Sequence, residues 1–332
     1  MAYAEINSIT NANMAKVNNA AKAALGKIGS IDAPSSDDAF TFTVDTTDSS
    51  GSASDTFVLP LVNNGSINFT VDWGDSSTDT ITAYNQAEIT HVYGASGTYT
   101  IKMEGTIRGW DFSGAGDRRK MRVISNWGDF NFTDDQAFRD CRSMTVTASD
   151  APTITTNSFY QMFTYCYALT DLGTGISSWN TSTVESFYRC FKYVTVFNGD
   201  VSSWDVSNTT NLGGMFDRCD AFNQDLSGWD VSGVSQFRDM FKSTDSAASS
   251  FDQNLSSWDM STANSMSNFM YGQTLSTANY DALLIGWEGQ SVVDGLSPHF
   301  GSSTYTSGGA AATARAALIA DHGWTITDGG TA

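Results

Sequence analysis

Apolar and polar residues alternate through residues 38–113 in short runs, AFTFTV, TFVLPL, INFTVDW, DTITAY, ITHVY and TYTIKM, separated by Gly/Asn/Ser turns. Alternation with period two turns one face of each run inward, and several such runs between turns predict an antiparallel β-sandwich. From near Lys120 to residue 275 a longer period takes over. Trp179, Trp204, Trp229 and Trp258 recur at spacings of 25, 25 and 29, the last stretched by a polar insertion within 242–250. Three positions after each tryptophan stands a serine: Ser182, Ser207, Ser232 and Ser261. Apolar residues follow in register: Phe187, Leu212, Phe237 and Met266, then Cys190-Phe191, Met215-Phe216, Met240-Phe241 and Phe269-Met270.

A serine followed by apolar residues at i, i+3, i+4 spacing predicts a short helix in each unit, with the serine as N-cap. Ser182 and Glu185 spell a capping box. The FNQDLSSWDVS-type segments are too short and polar for a second helix and read as an extended strand ending in a turn. Such a unit cannot bury its apolar face alone, so copies must stack, with strand neighbours about 4.8 Å apart. The expected shared core is Trp179, Trp204, Trp229, Trp258, Phe191, Phe216, Phe241, Met215 and Met240. Weaker units at 137–141 and 158–166 place the start of the array near Lys120. The recurring Trp-Asp pair does not signal a β-propeller, because a period of about 25 residues has no room for the four strands of a blade.

The ends differ from the middle. In residues 276–332, Ser276 or Thr277 can cap a helix through Trp287, Ser307 a second helix that stops at Gly323, and Trp324–Thr327 reads as a closing strand over the last core face. In residues 1–34, three lysines outnumber the two acids Glu5 and Asp32, and Ile6, Ile9, Met14, Val17, Leu25, Ile28 and Ile31 are spaced among alanines and asparagines up to Pro34. So short a segment makes no core of its own, and these seven residues are expected to anchor the chain to an assembly.

The string FNQDLSGWDVSGV with its following Met-Phe pair resembles the BspA-like leucine-rich-repeat surface proteins and related repeats of Mycoplasma lipoproteins. That resemblance implies a right-handed solenoid used in adhesion, without catalytic residues. Asn180-Thr181 departs from the Asp-Val of the next two copies, at Asp205-Val206 and Asp230-Val231. Val71-Asp-Trp-Gly-Asp75, His91-Val-Tyr-Gly and Gly97-Thr-Tyr-Thr-Ile101 resemble the PKD family of immunoglobulin-like domains, which serve as spacers and interaction modules. Residues 13–18 and 26–31 resemble N-terminal attachment segments of phage tail-fibre and other virion proteins. The expected fold class is therefore multidomain α+β. It comprises an attachment segment (1–34), a PKD-like immunoglobulin-type sandwich (35–115), a leucine-rich-repeat-like solenoid (116–275) and a C-terminal helical cap (276–332).

Composition narrows the function. The chain has 332 residues, only 16% of them charged, and a net charge of −19, which opposes nucleic acid and anionic lipid. No apolar run approaches the roughly 20 residues of a membrane helix. No apolar stretch follows Lys16, the first lysine, so no secretory signal is expected, and Cys141, Cys166, Cys190 and Cys219 are expected to be free thiols in a cytoplasmic context. They read as small buried hydrophobes, although stacking could bring Cys141 and Cys166 close enough to bridge. His91, His299 and His322 lie in different segments with no metal-ligand spacing, and His91 reads as a strand residue. Asp205, Asp230 and Asp259 form a column read as turn caps, with a calcium ladder as the alternative, and Asp72 and Asp75 raise the same alternative. The loop at 45–55 reads as a solvated hairpin. No cofactor, catalytic residue or metal site is expected.

Two functions remain, with a third far behind. The first is a phage virion protein (tail fibre, head fibre or appendage), homo-oligomeric, fastened to other virion proteins by residues 1–34 and presenting the repeats to a host-surface glycan or protein receptor. The second is a bacterial cell-surface adhesin. The third is a glycan-acting enzyme, supported only by exposed acids.

Overall fold

Phe40, Phe42 and Val44 alternate with Thr41, Thr43 and Asp45 along β1 (Phe40–Asp45), and all three apolar side chains are fully buried. The computed structural model describes residues 38–244 and 249–332. The seven expected anchor residues between Ile6 and Ile31 lie outside the described residues. The other strands are β2 (Thr56–Val58), β3 (Asn68–Asp72), β4 (Thr78–Ile81), β5 (Thr90–Val92), β6 (Thr98–Thr106), β7 (Met121–Asn126), β8 (Asn131–Phe132), β9 (Thr145–Val146) and β10 (Thr153–Ile154).

Six strands make one sheet in the order β4-β3-β6-β1-β7-β9. Its first five strands pair antiparallel, with Phe42 opposite Ile101 on β6 and Ile124 on β7. β9 then joins β7 in parallel, Ile124 opposite Val146, and β10 joins β8 in parallel. Beyond Ile154 the chain advances in stacked coils, held by single parallel bridges from Ser158 to Ser186, Asn211, Gln236 and Ser265. One hydrophobic cluster runs unbroken from Phe40 through the coils to Trp324.

These observations correct the expected fold class. The region expected to be a separate immunoglobulin-like sandwich does not close on itself: β1 pairs with β7, which already belongs to the repeat region, and residues 34–332 form one compact unit. The sheet is mixed, and α-helix among the described residues is confined to α1 (Thr277–Glu288) and α2 (Ala310–Ala320), so the α+β solenoid with a helix in each unit is not what forms. The physical reason lies in the turns. Val184, Cys190 and Val194 donate N–H to carbonyls three residues back, at Thr181, Phe187 and Phe191. Inside two of these turns, Arg189 and Tyr193 stand at φ 57° and 65°. A left-handed residue cannot lie inside a right-handed helix, so each such residue restarts the chain in a new turn. The i, i+3, i+4 spacing read as a helix face is thus shared by a run of consecutive turns.

The C-terminal elements follow the expectation in part. Ser276 Oγ caps α1 by accepting the Asn279 N–H, but α2 starts after Gly309 without a side-chain cap, and Thr327 forms only an isolated bridge to His299 rather than a strand.

Candidate binding edge

Every residue expected in the repeat core is buried, with Trp179, Trp204, Trp229 and Trp258 at most 4% exposed. Phe163, Phe191, Phe216 and Phe241 stack ring on ring at 5.5, 5.8 and 5.8 Å, tilted by no more than 10°. Met215 and Met240 fill the neighbouring column. Burying each such side chain stabilises the fold by about 1.5–3 kcal/mol. The tryptophans are therefore packing residues and do not present their faces to solvent.

The Trp-Asp segments build one polar edge. Asp205 Oδ1 accepts from Ser207 Oγ and N at 2.7 and 3.0 Å, and Asp230 Oδ1 accepts the same pair from Ser232 at 2.6 and 3.1 Å. Asn180 serves Ser182 in the same way, and Asp259 accepts the Ser261 N–H. The serines expected to cap helices are thus donors to Asx turns. Hydrogen bonds from the Ser207 and Ser232 hydroxyls and N–H groups hold the Asp205 and Asp230 carboxyls below the usual carboxylate range, and the Ser227 N–H and hydroxyl do so for Asp225.

Asp72 and Asp75 close local turns onto Gly74 and Ser77. His91, on β5, stacks on Trp73 at 4.7 Å and meets Asp75 at 2.9 Å. His322 meets Asp294, and burial lowers the pKa of His299. Among the described residues no group of three His, Cys, Asp or Glu side chains is placed to hold a metal ion. The four cysteines are buried and unbridged, and the thiols of Cys166 and Cys219 point at the carbonyls of Phe138 and Phe191.

The turn run builds the second edge. The N–H groups of Phe187, Arg189, Phe191 and Tyr193 donate to the carbonyls of Asn211, Gly213, Met215 and Asp217 in the next coil, at 2.8–2.9 Å. Gln161, Arg189, Gly214, Asp239 and Asn268 occupy one left-handed column, with φ between 53° and 62°. Alternate side chains of this ladder enter the core and the others project outward. Tyr160 stacks on Tyr188 at 5.8 Å and Tyr165 on Tyr193 at 4.9 Å. The Arg189 guanidinium lies 4.8 Å over Tyr188, and that of Arg218 lies 4.5 Å over Tyr193.

Seven of the chain's 17 lysines and arginines sit in these turns: Arg139, Arg142, Arg189, Lys192, Arg218, Arg238 and Lys242. Lys192 is paired with buried Asp217, and Arg238 with Asp239. Burial pushes the Asp140 carboxyl up, but hydrogen bonds from Arg142 and Arg118 outweigh it and hold the group ionised. At that end a cleft of about 140 Å³ is lined by Gly114, Arg139, Asp140, Arg142, Tyr165 and Tyr167. A larger apolar cleft of about 360 Å³ lies among Val58, Leu59, Pro60, Leu61, Ile89 and Phe112, with Asp111 and Asp117 on its wall. Asp117 is already bound by Ser52, the Val58 N–H and Lys120.

None of the tyrosines and arginines on the turn edge belongs to the residues singled out by the sequence patterns. The available signal was weak: Tyr160 and Tyr188, like Tyr165 and Tyr193, are 28 residues apart, one coil of this part of the stack.

Residues 157–283 match a protein family described as "Mycoplasma protein of unknown function, DUF285". The match covers less than half of the chain and includes the coils that carry both tyrosine stacks. No curated protein and no solved structure matches the chain.

Proposed function

We propose that this chain is a structural attachment protein of a phage virion. Residues 1–34 fasten it to other virion proteins, and the stacked turns face the surface of a host cell. The observation that carries the binding half of this reading is the outward row of tyrosines and arginines at Tyr160, Tyr165, Tyr188, Arg189, Tyr193 and Arg218, held rigid by a backbone ladder between coils. Contact residues fixed before binding lose little conformational entropy on binding, which suits a surface that meets its partner repeatedly along a row. Support for the attachment half is the change at Pro34 from a slightly basic, Ala/Asn-rich segment to an acidic remainder. A second reading, a bacterial cell-surface adhesin, is favoured by the similarity of residues 157–283 to a Mycoplasma family.

An antibody to the chain separates the two. On density-gradient fractions of a producing culture it should label DNA-containing particles. Label confined to intact cell surfaces overturns the virion reading in favour of the adhesin. A chain beginning at residue 35 should keep its melting temperature, since residues 34–332 form a compact unit by themselves, and should no longer join particles.

A further inference from the structure

The turn edge carries two cations whose chemistry the fold leaves unused. Neither the Arg189 nor the Arg218 guanidinium forms an ion pair or side-chain hydrogen bond among the described residues, although the chain bears 36 acids. Each ends a stack of three groups: Tyr160, Tyr188 and Arg189 in one, Tyr165, Tyr193 and Arg218 in the other. A guanidinium lying on a ring uses its face for that contact and keeps its in-plane N–H fork free. The fork matches a planar carboxylate with two parallel hydrogen bonds. Stacking also removes much of the rotamer freedom that an exposed arginine would lose on binding.

The phenols narrow the partner further. The hydroxyls of Tyr160, Tyr165, Tyr188 and Tyr193 have no hydrogen-bond partner among the described residues, whereas those of Tyr93, Tyr99 and Tyr280 do. Four free phenols beside two free guanidiniums suit a partner rich in hydroxyls and bearing repeated carboxylates. Nucleic acid fits poorly, because each of the four rings already stacks on another and two of them also carry a guanidinium, which leaves few faces for bases. A folded protein partner needs an apolar centre to its contact, and these two stacks offer phenols and guanidiniums instead.

We infer that the turn edge binds a carboxylated polysaccharide, its carboxylates on Arg189 and Arg218 and its hydroxyls on the four phenols. The inference rests on the reading above that this edge faces a cell surface.

The test is binding of the full chain to polygalacturonate and polysialate, with neutral dextran and a ribitol-phosphate teichoic acid as comparisons. Binding to at least one carboxylated polymer is expected, weakening as salt rises. Arg189→Gln with Arg218→Gln should lower that affinity more than about tenfold, the loss of two charge-assisted contacts. Tyr188→Phe with Tyr193→Phe, which keeps the stacks and removes two hydroxyls, should lower it a few-fold. Lys102→Gln with Arg108→Gln makes the same charge change elsewhere and should leave binding unchanged. All variants should keep the parent melting temperature.

Failure of both carboxylated polymers to bind overturns the inference. So does equal binding of dextran, tighter binding of the teichoic acid, or an unaffected arginine variant. If any of these occurs while the antibody still labels particles, the inference falls and the attachment reading stands.

Discussion

The indole Nε1 of Trp229 donates to the carbonyl of Val201 at 3.1 Å, one coil earlier in the stack. Trp204 makes the same bond to Ile176, Trp258 to Leu226 and, from within α1, Trp287 to Leu255. The tryptophan column thus ties each coil to its predecessor, and the first C-terminal helix continues the pattern. Trp179 Nε1 at the start of the series is buried without a hydrogen-bond partner among the described residues. Trp229→Phe should therefore destabilise by about 1 kcal/mol beyond its change in packing, because it removes a buried hydrogen bond between coils while the Val201 carbonyl keeps only the Trp204 N–H. Trp229→Ala should cost about 3–5 kcal/mol. Urea unfolding measures both, and an alanine variant as stable as the parent would contradict the packing role.

The left-handed column makes a prediction at its one glycine. Gly214 has φ 62°, and an added Cβ would come within 3.1 Å of Arg189 Cγ. Gly214→Ala should cost about 1 kcal/mol from the backbone alone. Gly228 lies in open space with no positive φ, so Gly228→Ala should be neutral or stabilising by about 0.4–1 kcal/mol. Equal effects at the two positions would contradict the turn geometry.

The Asx turns set an acid limit. Asp205, Asp225 and Asp230 have lowered pKa values, so their contribution is fully present above the unfolded carboxyl range and is lost as pH falls through their folded values. Burial raises the Asp111 and Asp135 pKa values, and for these the sign is opposite: protonation on acidification relieves a penalty. Asparagine already holds such turns at Asn180 and Asn254. Replacing the three aspartates with asparagine should therefore keep the fold at pH 7 and flatten the fall in melting temperature below about pH 4. An unchanged acid slope would show that these turns do not contribute to it.

The thiols should be silent. Burial raises the pKa of Cys141, Cys166, Cys190 and Cys219, so little thiolate is available near neutrality. A disulfide exchange reagent should label none of them in the native protein and all four in urea, at a rate that follows unfolding. Rapid native labelling of any one would contradict its placement.

The repeat period and its core were legible because large apolar side chains stack in register, and the tryptophan spacing records that register directly. The local conformation was not. A helix face and a run of turns place apolar residues at the same intervals, and what separates them is backbone sign at Gln161, Arg189, Asp239 and Asn268, of which only the aspartate and asparagine are types that favour the left-handed region. Gly213-Gly214 at the corresponding place was the available hint against a helix. The separate immunoglobulin-like sandwich was misread for a related reason. Alternation marks a strand but not its neighbour, and β1 finds one of its partners in β7, inside the repeat region. The turn edge escaped because its tyrosines recur only twice and its arginines shift column between coils.

On the proposed reading the protein meets its target through the turn edge and not through the aspartate edge. The direct measurement is the affinity of the full chain for cell envelopes isolated from a bacterium that the parent protein binds. The parent is compared with Arg189→Gln/Arg218→Gln and with Asp205→Asn/Asp230→Asn. A loss of more than about tenfold is expected for the arginine pair and none for the aspartate pair. Equal affinity of the arginine variant and the parent, or a loss confined to the aspartate variant, would contradict it.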